Sequence, residues 1–467
     1  MHWDRPRLET ALPERFTNYG SEVGKWAKTH LGVELMPWQR HVAKCLLGHR
    51  KGTWLNRIGL VSVARQNGKT ILLRAILGWY CTVWAPKQNR PVLVITTAHK
   101  LDLAVSLFQD LAPLLKEKFG ATVKYAYGRN ELRMGNLTWV VRAATPSAGH
   151  GLSADLLLVD EVWGVSQEAL DVGLLPTQRA KPNPLCVMFS TAGTEDSTAM
   201  LRWREQGLRA IDTGNDAGMY LAEYSPPPDL DPMTLEAWTY ANPALGHTIT
   251  EQTLHVEAAA PNRAAFLRSS VNLWVQSDTG WIQPGVWAAL ATADKPAPGG
   301  VLAVEVSIDD GRYCAVRVNH AAENKVVATV EFVVDTMAET WRRIQTLADA
   351  DRKLVLAVTP TLDLHCPLAL QRRRVIWGYQ EVTRYTAAVR QMIVERRLLH
   401  TGETMLAEHV GRAVAGRTQG TISLSSQRSP GPIELARCLV AACGLLVHSR
   451  QPVGRPVFVS VPLRPTG

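Results

Sequence analysis

The sequence predicts an α/β protein in two parts: a P-loop ATPase domain of the RecA/ASCE type on a parallel sheet, then an α/β domain with the element order of an RNase H-like nuclease. Three observations predict this. The triplet Gly68-Lys69-Thr70 lies between an apolar run and a helical one. Residues 156–161, LLLVDE, are aliphatic and end in two carboxylates. Past residue 300, three strands, a helix, a further strand and trailing helices follow one another.

In a phosphate-binding loop, successive backbone N–H groups face the anion and the following helix adds partial positive charge. The lysine reaches the β- and γ-phosphates and the hydroxyl ligates Mg²⁺. Residues 61–70, VSVARQNGKT, offer Lys69 and Thr70 for those roles, with Val63 where the usual spacing places a glycine. Taken singly, the triplet fits chance as well as function. The second motif tips the balance. A buried strand ending in Asp160 and Glu161 is what a Walker B segment requires, Asp160 to hold Mg²⁺ and Glu161 to polarise the attacking water. Together, in this order, they favour a nucleotide hydrolase.

At 467 residues the chain exceeds the ~250–300 at which single cores stop growing, so two or more domains are expected. A hydrophobic content of 46% is ample for packed cores. The formal charge of +9 favours an anionic partner such as nucleic acid, although the excess is spread along the chain. Seven cysteines lie far apart without a C-x-x-C pair, which argues for reduced core thiols in a cytosolic protein rather than a disulfide scaffold or zinc site. No signal-peptide run opens the chain and no uncharged apolar stretch nears ~18 residues, so no membrane contact is expected.

Residues 1–50 mix amphipathic helical patterns around Trp38 and Gln39. That pair can stack on and hydrogen-bond adenine, or it is a helix start with a packing tryptophan. The ATPase domain is expected over 51–215, with strands at 58–63, 91–97, 138–144, 155–160 and 185–190 and helices at 70–84 and 102–119. Strands apolar throughout and alternating with helices indicate a parallel sheet covered on both faces. Such sheets bind ligands at the carboxyl ends of their strands. The loop, Asp160-Glu161 and the segment Ser190, Thr191, Ala192, Gly193 each follow a strand, so they converge on one edge. The last suits a γ-phosphate sensor or a plain strand-to-loop turn. Residues 216–290 form a linker subdomain, with a proline-rich breaker at 225–232 and helices at 233–240, 251–260 and 263–274.

The second domain is expected over 291–450, with a tail at 451–467. Residues 301–318 read as a hairpin turning at 309–311, followed by a strand at 326–334, a helix at 336–350, a strand at 353–358 and helices at 386–398, 403–415 and 432–447. In an RNase H-like fold, the first strand and a late helix bring carboxylates together around two metal ions. Glu305 interrupts an apolar strand, which is costly unless it binds metal, pairs, or lies on an exposed edge. The basic runs at 372–374 and 396–397 suit a DNA-facing surface or an ordinary solvated face.

Trp38-Gln39 and the segments ARQNGKT at 64–70, GHGLSAD at 149–155, LVDE at 158–161 and STAG at 190–193 closely resemble the large terminase subunit of tailed bacteriophages. ANPAL at 241–245, Asn272-Leu273-Trp274 and Trp281-Ile282 look similar too. The resemblance implies a motor that packages double-stranded DNA into a procapsid in the cytoplasm of a bacterial host. It implies docking on the portal protein as a self-associated ring, usually of five subunits, with a small terminase subunit as partner. It also implies a metal-dependent endonuclease that cuts concatemeric DNA, with ATP and Mg²⁺ at the first site and Mg²⁺ or Mn²⁺ at the second.

Position by position, the resemblance makes Gln39 the adenine contact and Arg65, Gln66, Asn67, Gly68, Lys69 and Thr70 the nucleotide-binding loop. Arg65 matches an arginine-finger position, Thr70 and Asp160 hold metal, Glu161 activates water, and Ser190 to Gly193 couple hydrolysis to movement. The nuclease pattern departs from the family's. Glu305 stands where an aspartate is usual, Thr359 stands at the second acidic position with Asp363 four residues on, and Gly431 lies near the third with Glu434 the nearest carboxylate. Asp309 and Asp310 are further candidate ligands. Two readings follow: a motor with a nuclease built on Glu305, Asp309, Asp310 and Glu434, or a motor whose second domain only binds DNA or portal. A helicase-like remodeller is disfavoured, because no second RecA-like repeat is evident.

Overall fold

The computed structural model describes residues 4–126, 130–194, 196–214, 218–228, 230–274, 280–282, 286–294, 296–307, 311–418 and 421–448. Among these, the first sheet has nine strands. Its core runs parallel: β1 (Ile58–Ser62), β2 (Val92–Ala98), β3 (Leu137–Val141), β4 (Leu156–Asp160), β5 (Leu185–Ser190) and β6 (Met219–Glu223), in spatial order β6-β1-β5-β4-β2-β3. Every residue of β5 and β6 is buried, as the unbroken apolar runs demand of a sheet covered on both faces. Helices α1 (Pro37–Leu46), α2 (Lys69–Trp79), α3 (Leu101–Phe119) and α4 (Thr198–Thr213) complete this part. The parallel register sets Ser62 beside both Ser190 and Glu223, and Asp160 beside Phe189, so the strand ends that carry the motifs share one edge.

The sheet reaches beyond the expected span of 51–215. Met219–Glu223, expected in the linker, lies beside β1, and Leu8–Glu9 pairs antiparallel with it. A five-residue strand without its own turn signals is defined by its neighbours' hydrogen bonds rather than by its pattern.

The second sheet begins with an antiparallel meander of β7 (Val301–Val306), β8 (Tyr313–His320) and β9 (Val326–Val334). After α5 (Met337–Ala350), β10 (Val355–Val358) returns parallel to β7. Short strands β11 (Arg374–Ile376) and β12 (Leu398–His400) close the two edges, parallel to β10 and β9. Helices α6 (Tyr379–Val394), α7 (Thr404–Arg412) and α8 (Glu434–His448) follow, α8 packing on β7 and β8.

Two expected helices stop early, for the same kind of reason. The helix expected to reach 398 ends at Val394, Arg396 turns left-handed at φ +58°, and Leu398 enters β12. The helix expected over 263–274 ends at Ser269, because Asn272 adopts φ +54°. Asparagine tolerates that region better than most residues. The expected hairpin turn lies mostly outside the described residues, at 308–310. Six of the seven cysteines are buried, and burial pushes the Cys186 thiol up to about 12. Among the described residues no helix is long and apolar enough to cross a membrane.

Candidate functional site: an open cleft and an arginine-faced acidic cluster

At the carboxyl edge of the first sheet lies a cleft of about 780 Å³, lined by Met36, Arg65, Gln66, Gly68, Lys69, Thr70, Ile71, His99, Lys100, Glu161, Trp163 and Thr248 among others. The loop that forms its floor turns through two left-handed residues, Gln66 at φ +63° and Gly68 at φ +85°. Glycine is favoured at 68 by its φ of +85°, and a Cβ there would also press on Gln39 Nε2 at 2.9 Å and Met36 Cε at 3.0 Å. Val63 carries no such constraint: it is not left-handed, and its side chain is buried in the core.

Lys69 is nearly buried, and its ammonium donates to Val63 O at 3.1 Å and Ala64 O at 3.3 Å, with Glu161 Oε1 at 3.8 Å. Desolvation lowers its pKa, opposed by the Glu161 and Asp160 charges. Asp160 Oδ1 accepts the Glu161 N–H at 3.0 Å. Burial, reinforced by the Glu161 charge and opposed by Lys69, raises the Asp160 carboxyl to about 6. Glu161 is itself left-handed, at φ +49°, and its Oε2 has no hydrogen-bond partner among the described residues. Thr70 is exposed in the first turn of α2. A hydroxyl and a carboxylate at the lip of a phosphate loop are hard oxygen donors of the kind Mg²⁺ takes.

The adenine platform expected at Trp38 and Gln39 is not formed. Trp38 is wholly buried and packs edge-on against Tyr224. Gln39 is committed at both ends, accepting from Met36 N–H at 2.8 Å and donating to Gly68 O at 2.8 Å, so it fixes the loop to the start of α1. Asn67 also faces away from the cleft. Its amide donates to Arg65 O at 3.0 Å and Asn242 Oδ1 at 2.9 Å and accepts from Ala244 N–H at 3.0 Å, fastening the loop to the linker. Arg65 and Gln66 are exposed and line the cleft.

The segment 190–193 touches the residue after β1, Trp163 and the linker. Ser190 O accepts from Val63 N–H at 3.1 Å, and Ser190 Oγ accepts from Trp163 N–H at 3.1 Å. Ala192 N–H donates to Asn272 Oδ1 at 2.6 Å. A Cβ on Gly193 would strike Ser197 Oγ at 2.2 Å and the Trp274 ring at 2.9 Å. Sequence reasoning did not single out His99, Lys100 or Trp163 as cleft-lining residues. Trp163 lies against the His99 ring and under the Arg268 guanidinium, 5.7 Å from its ring centre. The only signal was position, each lying just past a strand end.

In the second domain, the expected carboxylates meet arginines. Glu305, buried in β7, has Oε1 2.9 Å from Arg437 Nη2. Burial outweighs that guanidinium and, with the Glu434 charge beside it, pushes the Glu305 carboxyl up to about 8. Glu434 is buried in the first turn of α8; burial raises its pKa, against the pull of Arg312 and Arg412. Thr359 supplies no charge, Asp363 pairs with Arg374, and Gly431 adds no side chain. Asp309 and Asp310 lie outside the described residues. Two metal ions ~3.5–4 Å apart need several carboxylates. The described residues, two carboxylates with an arginine on one of them, do not fit that donor set.

Between the two domains, α4 and α7 share a buried ionic network. Arg204 donates to Glu223 at 2.6 and 2.9 Å and to Glu408 at 2.7 Å, and Arg7 donates to Glu408 at 3.0 Å. Glu205 accepts from His409 Nε2 at 3.0 Å and pairs with Arg412. His409 Nδ1 accepts the Leu435 N–H at 3.2 Å, which fixes the neutral tautomer, and burial lowers its pKa to about 4.

No protein-family profile matches the sequence. The large terminase subunit of Enterobacteria phage HK97 is 25% identical over 270 residues, which are 55% of this chain and 51% of that protein. The chain thus matches about half the length of that relative. The crystal structure of the HK97 large terminase superposes with a TM-score of 0.50 at 18% identity, over 92% of this chain and 100% of that one, and shows a common fold. The large terminase of a thermophilic bacteriophage, in complex with ADP, is more distant, with a TM-score of 0.35 at 10% identity over 93% of this chain and 99% of that one.

Proposed function

We propose that this chain, a relative of the large terminase subunits of tailed phages in sequence and in fold, is a P-loop ATPase that drives double-stranded DNA into a procapsid. The observation that carries this reading is the convergence of Lys69, Thr70, Asp160, Glu161 and the segment 190–193 on one sheet edge, where Lys69, Thr70 and Glu161 line an open cleft. We take the first sheet as RecA/ASCE-like and the second, with its meander and returning parallel strand, as RNase H-like.

ATP lies with its phosphates over Gly68 and the N-terminus of α2, and Met36, Ile71 and Thr248 wall the side left for the base. Lys69 leaves the Val63 and Ala64 carbonyls for the β- and γ-phosphate oxygens. Thr70 and Asp160 would hold the Mg²⁺ that accompanies the nucleotide, which would neutralise charge on the transferring group. Glu161, which lines the cleft and has one oxygen without a hydrogen-bond partner among the described residues, takes the proton of the attacking water. Arg65, or an arginine from a neighbouring subunit, steadies the charge that develops. The motor works in the bacterial cytoplasm as a ring on the portal protein, with a small terminase subunit as partner.

For the second domain, the Arg437–Glu305 pair favours a module that binds DNA or portal without cutting, over a two-metal endonuclease. Lys69→Ala and Glu161→Ala are expected to abolish Mg²⁺-dependent ATP hydrolysis by the full chain, with Glu161→Ala still binding ATP. Retained hydrolysis in either overturns the ATPase reading. Plasmid cleavage with Mg²⁺ or Mn²⁺ that Glu305→Ala abolishes would restore the nuclease.

A further inference from the structure

Asn272 stands where the nucleotide edge and the second domain are each a short step away. It is fully buried, and its carboxamide engages three strand ends at once. Oδ1 accepts from Ala192 N–H at 2.6 Å, and Nδ2 donates to Ser62 Oγ at 3.0 Å and to Tyr224 O at 2.9 Å. Ser62 closes β1 just before the phosphate loop, Ala192 lies within the segment 190–193, and Tyr224 follows β6. Two residues on, Trp274 packs against Gly193 and lies under the Arg204 guanidinium, 5.8 Å from its ring centre. Arg204 in turn grips Glu408 of α7 at 2.7 Å.

We infer that Asn272 is the positioning residue that carries displacement of the segment 190–193 into the linker and, through Trp274 and Arg204, to α7 of the second domain. The inference rests on the ATPase reading above and adds to it the residue through which the cleft is felt elsewhere. A buried amide has no water to exchange for a lost partner, so Ala192 cannot shift without either drawing Asn272 along or leaving a donor unsatisfied. That gives a junction with two arrangements, bonded and released, which is what coupling between distant sites requires.

The choice of side chain follows from the geometry. At φ +54°, glycine fits the backbone but offers no amide, aspartate offers the acceptor without the donors, and only asparagine supplies all three. The segment 190–193 meets the linker at two points, the Asn272 carboxamide and the Trp274 ring, and only the first is a hydrogen bond.

The test uses the full chain, with Mg²⁺ and the slowly hydrolysed analogue ATPγS as probe. Amide hydrogen exchange is read at Thr404–Arg412 with and without nucleotide, beside the nucleotide affinity and thermal midpoint of each variant. In the wild type, ATPγS is expected to change protection at Thr404–Arg412 by about threefold or more. Asn272→Gly is expected to bind ATPγS within about threefold of wild type and to lose that change. Asn272→Asp, which keeps the acceptor for Ala192, is expected to fall between, and it serves as the test if the glycine variant does not fold. A purely structural asparagine would lower the thermal midpoint and leave the nucleotide-dependent change intact, and that result overturns the inference. Wild-type protein that binds ATPγS without any change at Thr404–Arg412 overturns it too. Wild-type protein that does not bind ATPγS brings down the ATPase reading itself, and this inference with it.

Discussion

The molecule holds two pairs of carboxylates, one where a strand of the first sheet ends and one between a strand of the second sheet and α8, and they have met different fates. Asp160 and Glu161 stand at the end of β4, where the strand meets an open cleft and the nearest cation is the Lys69 ammonium. Glu305 stands inside β7 beneath α8, with Glu434 beside it and Arg437 against it. A strand end can present charge to a ligand while its apolar body remains in the core. A mid-strand carboxylate under a helix must be neutralised where it stands, by a proton, an arginine or a metal. The contrast between these sites separates acidic residues open to a ligand from acidic residues enclosed by the fold.

The largest effect should come from making the same substitution in both pairs. Glu161→Gln is expected to lower ATP turnover by about 10²–10⁴-fold, the range for loss of a positioned general base, with nucleotide binding kept. Glu305→Gln is expected to leave ATP turnover at the wild-type value. Equal losses at both positions, measured by steady-state phosphate release, would erase the contrast.

Next in size is the interface between the domains. Glu408→Ala takes one carboxylate from the buried network, leaving Arg204 with Glu223 and Arg7 with Ser225, and should cost about 3 kcal/mol in urea unfolding, the low end of the range for breaking a buried ion pair. By contrast Glu339→Ala, which removes a pair on the exposed face of α5, should cost less than about 1 kcal/mol.

Acid separates the buried groups by sign. His409 is held near 4, below its ordinary 6.5, so the unfolded chain binds the extra proton between those values and stability falls as pH drops through that window. Glu408, lowered to about 2 by Arg7 and Arg204 against its burial, extends the loss below the ordinary carboxylate range. Glu305 acts in the opposite direction. Its folded pKa near 8 lies above the ordinary 4.5, so its contribution is present below 4.5 and is lost as pH rises through 8. The urea midpoint of His409→Gln should be flatter than wild type between pH 4 and 6.5, and that of Glu305→Gln flatter between 4.5 and 8.

The smallest effect belongs to the cleft itself. With Asp160 raised to about 6 by burial, ATP turnover at limiting Mg²⁺ should climb as pH rises through 6, since only the ionised form would take up the metal. A pH–rate profile flat across that value would remove Asp160 from the role.

Much of the site was legible because its chemistry is local. The phosphate loop, the paired carboxylates after β4 and the small residues after β5 are each a few consecutive residues, and alternation of apolar strands with helices is enough to bring them to one edge. Residue pattern therefore sets the order of strands and turns and the types of group at their ends. Packing in three dimensions chose which partner each group has. Gln39 and Asn67 read as nucleotide contacts until Gly68 O, Asn242 and Ala244 are seen to occupy them. β6 and β12 become strands only beside β1 and β9. The ionic network joins residues as far apart in sequence as Arg204 and Glu408. Hydrogen bonds and ion pairs act over a few ångströms of space whatever the distance along the chain, so a pattern of residue types gives each polar group its capacity, and the folded neighbourhood alone gives it a partner.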